Sequence, residues 1–177
     1  MAKTIKVRNL RVENITPLDP PAAYWNRYPT TQEIENQVAK HRQEIEHIVN
    51  GDDRRMLMIV GPCSIHDTRA GLEYAKRLRT LAEEVQDRIL IAMRVYFEKP
   101  RTTLGWKGFI NDPQLNGNED VSTGLAKARE FLLDVCGLGL ATATEWLEPF
   151  TPQYLGDLVA WGAIGARTTE SQPHRLV

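Results

Sequence analysis

Cysteine is scarce in this sequence, and its placement excludes several classes of protein. The 177 residues include two cysteines, Cys63 and Cys136, which are far apart and belong to no CxxC pair. A disulfide scaffold and a zinc site built from paired cysteines are therefore excluded, and a reducing compartment is favoured. No apolar run approaches the roughly 20 residues of a membrane-spanning helix, and the first residues lack the apolar segment of a signal peptide. We therefore expect a cytoplasmic protein without membrane contact.

Net charge is close to zero, which removes another group of functions. The formal charge is −1 at pH 7, so no basic field predicts general binding to nucleic acid. The sequence also lacks a Walker phosphate loop and a GxGxxG motif after a strand, and its GLG triplet at residues 137–139 is explained as a helix-to-strand turn. Hydrophobic residues make up 42% and charged residues 25% of the chain, as expected of one globular domain with its own core.

Residues 1–52 are predicted to form an N-terminal arm followed by a helix. Residues 1–29 are polar and proline-rich, which predicts an irregular arm with one short strand near residues 5–7. Thr30 and Glu33 have the spacing of a capping box at a helix start, and Gly51 stands where a C-terminal cap belongs. The apolar positions between them recur at helical spacing: Ile34, Val38, Ile45, Ile48 and Val49.

From residue 53 to residue 177, apolar segments alternate with helical patterns. Four segments predict strands, at residues 56–60, 89–95, 140–146 and 162–167. Helices are predicted after Asp67, over residues 125–135 and from Pro152, with a long loop up to about Thr123. This alternation predicts an α/β fold with a parallel sheet and right-handed crossovers. The first strand is continuously apolar, so we expect it to be buried on both faces.

Polar side chains follow the predicted strands, where ligands bind in parallel α/β folds. The motif GPCSIHD follows the first strand, and Arg94, Glu145 and Arg167 end the next three. Two arginine forks on strands separated by one other strand favour a carboxylate or phosphate ligand. The loop after the second strand adds further donors: Lys99, Arg101, Thr102, Thr103 and Lys107. Aromatic residues interleave with these donors, which is unusual for a loop that is only solvated. The loop and the two arginines together predict an anionic, phosphorylated substrate.

Individual residues at these strand ends also allow a structural interpretation. Either arginine could pair with a nearby glutamate, and Glu145 could be a ligand, a base or a partner that orients the arginines. Cys63 could be an inert small apolar residue, a metal ligand or a nucleophile. His66 and Asp67 could be ligands, or else a surface residue and a helix cap. Cys136 is expected in the core.

Three longer segments carry a resemblance to a known family. GPCSIHD, MRVYFEKPRTTLGWKGFINDP and WGAIGARTTESQ resemble the 3-deoxy-D-arabino-heptulosonate 7-phosphate (DAHP) synthases of the type regulated by aromatic amino acids, and the resemblance runs from about residue 20 to about residue 175. It implies condensation of phosphoenolpyruvate with erythrose 4-phosphate, with release of phosphate, at the start of the shikimate pathway. It also implies a divalent metal (Mn, Fe, Co or Zn), feedback inhibition by an aromatic amino acid, and a homo-oligomer.

The resemblance implies a role for each strand-end residue. Cys63 matches the family's cysteine metal ligand. Arg94 and Arg167 match arginines that hold phosphoenolpyruvate, and the backbone around Ala166 matches a segment near its phosphate. Glu145 matches an acidic residue near phosphoenolpyruvate that acts through water.

The loop after the second strand matches the family's KPRT motif, which binds erythrose 4-phosphate. The matching residues are Lys99, Pro100, Arg101 and Thr102. The resemblance places Lys99 between the two substrates and makes it, with the two arginines, the catalytic set.

The family fold is a (β/α)8 TIM barrel, and the chain accounts for about its first four βα units plus the N-terminal extension. Such a barrel takes about 250 residues, and the family supplies its other metal ligands after the SQxHR segment. Because Cys63 alone cannot hold a catalytic metal, we expect the 177-residue chain to be inactive by itself. The alternative is a non-catalytic module that binds an anion or a partner. A Schiff-base aldolase is disfavoured, because no predicted strand ends in a lysine.

Overall fold

Strands and helices alternate along the chain. A computed structural model describes residues 7–10, 12, 14–101 and 104–176. Two helices precede the sheet, α1 (Pro21–Arg27) and α2 (Gln32–Asn50). The strands are β1 (Met56–Val60), β2 (Ile89–Arg94), β3 (Ala141–Trp146) and β4 (Trp161–Ile164). The other helices are α3 (Thr68–Val85), α4 (Val121–Gly137), α5 (Thr151–Leu155), which continues into a 3-10 turn at Gly156–Leu158, and α6 (Gln172–Arg175).

The four strands form one parallel sheet whose spatial order is the chain order, β1-β2-β3-β4. The register brings Ala92 of β2 beside Ile59 of β1 and Ala141 of β3. The sheet curls with its helices outside, which is the arrangement of a partial (β/α)8 barrel and confirms the predicted fold class. Among the described residues, β1 and β4 each pair on one side only.

At the centre of the sheet, β2 and β3 carry alanines on the inner face, and these lead up to the polar strand ends. Ala92, Ala141 and Ala143 are buried in a cluster separate from the main core, which lies between the sheet and its helices. Side chains alternate along a strand, so Arg94 and Glu145 project from the same face, two residues beyond Ala92 and Ala143. The sheet therefore places the side chains of Arg94 and Glu145 next to the buried alanines of its inner face.

Aspartate caps begin the two helices that cover the sheet. The Oδ1 atom of Asp67 accepts hydrogen bonds from the amides of Arg69 and Ala70 at 2.9 and 3.1 Å, which confirms the predicted cap. The Oδ1 atom of Asp120 accepts one from the amide of Thr123 at 3.1 Å. Because of this second cap, α4 begins at residue 121, earlier than the predicted residue 125.

The predicted capping box is not formed, and the N-cap of α2 lies one residue later than predicted. The side-chain oxygen of Thr31, not of Thr30, accepts a hydrogen bond from the amide of Ile34, at 3.3 Å. Thr30 instead donates its hydroxyl to Glu35 and so does not cap the helix. The C-terminal cap is as predicted, because Gly51 has a left-handed φ of 84°.

The N-terminal arm is more regular than predicted. Its helix α1 starts at Pro21, a favourable first position because the fixed φ suits a helix and the missing N–H would have no partner there. Tyr24 of α1 is 1% exposed, and its ring packs edge-to-face on that of Tyr154 with centroids 5.1 Å apart. The proline-rich composition therefore led to the prediction of an irregular segment where a packed helix forms. The strand predicted near residues 5–7 lies mostly outside the described residues.

The prediction that β1 is buried on both faces is wrong. Met56 and Met58 are 61% and 36% exposed, so β1 is not buried on both faces. The reason is that α3 packs on β2 and α4 on β3, which leaves the outer face of β1 largely uncovered. The apolar face predicted for α2 is buried at Val38 and Ile45, whereas Val49 near the end of the helix is 61% exposed. Within the described residues, no helix has the length and apolar character needed to cross a bilayer.

Candidate anion-binding site

An open cleft of about 660 Å³ lies at the carboxyl ends of the strands. Seven residues proposed from the sequence line it: Lys99, Pro100, Arg101, Lys107, Glu145, Ala166 and Arg167. They come from β3 and from the segments that follow β2 and β4. Cys63 and Arg94 are not among the lining residues, and Thr102 lies outside the described residues.

The loop that follows β2 doubles back on itself at the cleft wall. The amide of Lys99 donates to the carbonyl of Lys107 at 3.0 Å, and Glu98 forms an isolated antiparallel bridge with Gly108. Gly108 has a φ of 106°, and a Cβ at this position would overlap the carbonyl oxygen of Phe97. Only glycine fits this crossing, which holds Lys99 and Lys107 next to each other. The described residues of this loop therefore hold Lys99 and Lys107 together at the cleft wall.

Cys63 and Arg94 lie beside the cleft and are connected to it through Lys99. The Nζ atom of Lys99 lies 3.0 Å from the Sγ atom of Cys63. The Nε atom of Arg94 donates to the carbonyl of Pro62 at 3.0 Å, and its guanidinium lies 5.1 Å from the centre of the Tyr96 ring. The segment after β1 is thus attached to β2 and to the loop that follows it.

The surroundings of Cys63 suit a metal ligand, although the described residues do not complete a metal site. The pKa of the Cys63 thiol is lowered by the hydrogen bond from Lys99, by the charge of Lys99, and further by Arg94 and Arg101. A thiolate is the form of cysteine that binds metals. Among the described residues, however, no group of three or more His, Cys, Asp or Glu side chains could hold a metal ion. His66 is exposed, and Asp67 serves as the cap of α3.

Arg167 lies in a turn after β4, not at the strand end where the sequence pattern placed it. The strand ends at Ile164, and the amide of Thr168 then donates to the carbonyl of Gly165 at 2.9 Å. A Cβ at Gly165 would lie 2.7 Å from the Cδ2 atom of Leu147, so this turn packs closely on the segment after β3. The turn presents the exposed side chain of Arg167 to the cleft.

The charges around the cleft favour an anionic ligand. Among the described residues, four cationic side chains line it: Lys99, Arg101, Lys107, which is paired with Glu119 outside the cleft, and Arg167. Three carboxyl groups line it as well: Glu98, Glu145 and Glu148. Burial raises the pKa of Glu98 to about 7, so this carboxyl group is only partly ionised near neutral pH. The net charge of the side chains that line the cleft is therefore positive.

Sequence reasoning misses two buried polar residues that bond to the main chain of Leu147: Glu98, which lines the cleft, and His174, which lies behind Leu147. They are 6% and 8% exposed. The Oε2 atom of Glu98 accepts hydrogen bonds from the amide of Leu147 at 3.3 Å and from the hydroxyl of Thr151 at 3.2 Å. An acid next to a lysine in a loop is normally solvated, so the sequence carries no signal for this burial.

Comparison with known proteins identifies the family of the chain. The model of the DAHP synthetase I family matches residues 30–177. The chain belongs to this family. The Phe-sensitive phospho-2-dehydro-3-deoxyheptonate aldolase of Escherichia coli (strain K12) is 53% identical over 167 residues, which cover 94% of this chain and 48% of that protein. The Trp-sensitive enzyme of the same strain is 52% identical over 175 residues, which cover 99% of this chain and 49% of that protein.

A solved structure shows the same fold in this family. The phospho-2-dehydro-3-deoxyheptonate aldolase from Francisella tularensis SCHU S4 matches with a TM-score of 0.89 and 48% identity, covering 93% of this chain and 48% of that one. The chain therefore spans about half the length of the curated relatives it matches. The family resemblance predicted from the three sequence segments is confirmed.

Proposed function

We propose that this chain forms a substrate-binding half of a DAHP synthase, which condenses phosphoenolpyruvate with erythrose 4-phosphate and releases phosphate. The observation that carries the proposal is the cleft, where the segments after β2 and β4 place four cations around one space. Both substrates carry phosphate, and phosphoenolpyruvate also carries a carboxylate. Fixed cations offset the repulsion between two such anions as they approach.

Arg94 and Arg167 are proposed to hold phosphoenolpyruvate. A guanidinium fork binds a carboxylate or phosphate through two parallel hydrogen bonds. Arg167 lines the cleft next to the backbone of Ala166. Arg94 is half-buried and bonded to the carbonyl of Pro62, so its orientation is fixed before a ligand arrives. Glu145 faces the same cleft and is suited to hold a water molecule there.

Lys99 and Arg101 are proposed to bind erythrose 4-phosphate, as the family's KPRT motif implies. Both line the cleft, together with Pro100, whose ring restricts the backbone between them. Lys99 also reaches Cys63, which suits a position between the two substrates. The role of Thr102 stays a prediction, because this residue lies outside the described residues.

These positions fit the proposed reaction. The enol carbon of phosphoenolpyruvate attacks the aldehyde carbon of erythrose 4-phosphate, and water adds at the neighbouring carbon before phosphate leaves. The cations of this chain would hold both substrates in contact and stabilise the departing phosphate. Their contribution is to bind and orient.

We expect turnover to require a divalent metal, whereas binding of phosphoenolpyruvate does not. The resemblance makes Cys63 a metal ligand, but the described part of the chain contains no group of three or more donors. One thiolate does not hold a catalytic divalent ion by itself. The same observation favours a second candidate function for the isolated chain, a non-catalytic anion-binding module. We therefore expect the 177-residue chain to bind phosphoenolpyruvate without turning it over.

Calorimetry with phosphoenolpyruvate tests the binding. We expect saturable binding that weakens at least about tenfold in Arg167→Leu, since charge-assisted hydrogen bonds are the strong ones. Arg88→Leu is the matched control, because Arg88 is 86% exposed at the opposite end of the sheet. No binding by the wild-type chain, or equal binding by Arg167→Leu, contradicts the proposed site.

A steady-state assay with both substrates and manganese tests turnover. We expect none from the isolated chain. Turnover near the rate of a full-length relative would contradict the binding-only proposal and support catalysis by this chain.

Regulation, assembly, domain division and location are proposed from the family. The two Escherichia coli relatives are Phe-sensitive and Trp-sensitive at 53% and 52% identity, so identity does not select an inhibitor. We propose an aromatic amino acid as inhibitor, a homo-oligomer, a division near residue 52 between extension and half-barrel, and a cytoplasmic location. Sedimentation with and without each aromatic amino acid tests the first two.

A further inference from the structure

A hydrogen-bonded arrangement, here named the Leu147 clamp, holds the main chain of Leu147 from two sides. Its amide donates to the Oε2 atom of Glu98 at 3.3 Å, and its carbonyl oxygen lies 2.8 Å from the Nε2 atom of His174. Glu98 belongs to the loop after β2, Leu147 follows β3, and His174 belongs to α6 after β4. Three strand-end segments therefore meet at one residue, which lines the cleft together with Glu98.

Burial of the Glu98 carboxyl group opposes folding. The Oε1 atom is buried and receives no hydrogen bond from any described residue. Burying a carboxyl group with one oxygen unpaired opposes folding, and here it raises the pKa of Glu98 to about 7. An apolar residue would pack at lower cost. We infer that glutamate stands at this position because of the hydrogen bonds that it accepts from Leu147 and Thr151.

The His174 side of the clamp is fixed at both ring nitrogens. A carbonyl oxygen can only accept, so the Nε2 atom that faces Leu147 carries a proton. In the neutral ring the Nδ1 atom then accepts from the hydroxyl of Ser171, 2.8 Å away. The amide of Ser171 donates in turn to the carbonyl of Thr168, in the turn that carries Arg167. The imidazole thus connects the Arg167 turn to the segment after β3.

We propose that Glu98 and His174 are positioning residues that hold the two cationic walls of the cleft at a fixed separation. One wall carries Lys99, which follows Glu98 directly, and the other carries Arg167. The inference rests on the proposed function, because the separation matters for an anion that contacts both walls. Neither residue is assigned a contact with substrate, and both act through the main chain of Leu147.

Binding of phosphoenolpyruvate to the full 177-residue chain tests the clamp. We expect Glu98→Ala and His174→Ala each to weaken binding about tenfold. Glu98→Gln keeps an acceptor and His174→Gln keeps a donor, so both should bind within about threefold of wild type. Because both side chains act through Leu147, the double alanine variant should lose less than the product of the two single losses.

Arg129→Met is the control for a merely structural effect. Arg129 is 1% exposed and bonds to Tyr28, Tyr154 and Asp157, none of which lines the cleft. At a temperature at which circular dichroism shows every variant folded, it should bind within about twofold of wild type. Wild-type binding by the alanine variants overturns the clamp. Equal weakening by the glutamine variants or by Arg129→Met also overturns it.

A wild-type chain that binds no phosphoenolpyruvate contradicts the proposed function, and amide hydrogen exchange then decides the clamp. Glu98→Ala should accelerate exchange at Thr168, and His174→Ala should accelerate it at Lys99, each on the wall opposite the substitution. Exchange in α4 should stay unchanged. Unchanged rates at Thr168 and Lys99 refute the clamp whatever the ligand.

Discussion

The ammonium of Lys99 lies 3.0 Å from the sulfur of Cys63 and 3.4 Å from its carbonyl oxygen. This contact joins a residue of the predicted substrate site to the predicted metal ligand. It also stabilises the thiolate, because a cation next to a thiol favours loss of its proton. The two cysteines of the chain should therefore differ sharply in reactivity.

Alkylation by iodoacetamide near neutral pH should modify Cys63 and spare Cys136. Cys63 is exposed with a lowered pKa, whereas Cys136 is buried and its pKa is raised to about 12. Mass spectrometry of the alkylated chain over time measures both rates. Lys99→Met should slow the reaction of Cys63, since it removes the largest cause of the lowered pKa. An unchanged rate in Lys99→Met would show that the contact does not form in solution.

The stability of the chain should fall as the pH rises from about 4.5 to about 7, through the ionisation of Glu98. The folded state keeps the proton to higher pH than the unfolded state, so stability is fully present below the unfolded pKa and is lost through the folded pKa. The shift corresponds to about 3 kcal/mol. Denaturant unfolding at pH 5 and pH 8 should show this loss in wild type and not in Glu98→Gln. Equal pH dependence of the two proteins contradicts the assignment.

Gly124→Ala should destabilise the chain by about 1–3 kcal/mol. A Cβ at Gly124, in the first turns of α4, would overlap the carbonyl oxygen of Ile110 in the preceding loop. Gly137→Ala is the matched control on the same helix, since a Cβ there would meet nothing within 4 Å. It should stabilise the chain by up to about 1 kcal/mol. Thermal unfolding of both variants checks the opposite signs, and a gain in Gly124→Ala would show that the loop yields.

Arg129→Met should lower the free energy of unfolding by about 3 kcal/mol. The Arg129 side chain is 1% exposed and bonds to the carboxylate of Asp157 and to the carbonyls of Tyr28 and Tyr154. These partners would be left without their donor. Arg77→Met on α3 is the control, because its side chain is 80% exposed and its loss should cost less than about 1 kcal/mol. A similar small loss in both variants would refute the structural role of Arg129.

The strands are predictable because a buried parallel sheet leaves apolar runs in the sequence. β1 has the predicted bounds, and β2 and β3 each differ from prediction by one residue at one end. β4 is predicted too long, because the small residues after Ile164 continue the apolar pattern into a turn. That turn is closed by backbone bonds to Gly165, which depend on the packing of Leu147. Short-range patterns contain no record of such packing.

The cleft is predictable from the geometry of the sheet, but the two side chains that hold its lining residue Leu147 are not. Parallel strands end at one edge of a sheet, so residue types at the strand ends suffice to bring Lys99, Glu145 and Arg167 together. Glu98 and His174 bond to the backbone of Leu147. Almost every residue type has the same main-chain amide and carbonyl groups, so the sequence does not indicate which residue serves as a backbone partner. Only the tertiary structure reveals these two residues.

The chain order of the sheet has a consequence for how the protein folds. Each strand pairs with the strand that comes next along the chain, in the order β1-β2-β3-β4. Pairings between sequence neighbours keep the contact order low for a parallel sheet and limit the loop entropy that each step must overcome. During synthesis, a strand that leaves the ribosome finds its partner already made. We expect this sheet to grow by one strand at a time as the chain emerges.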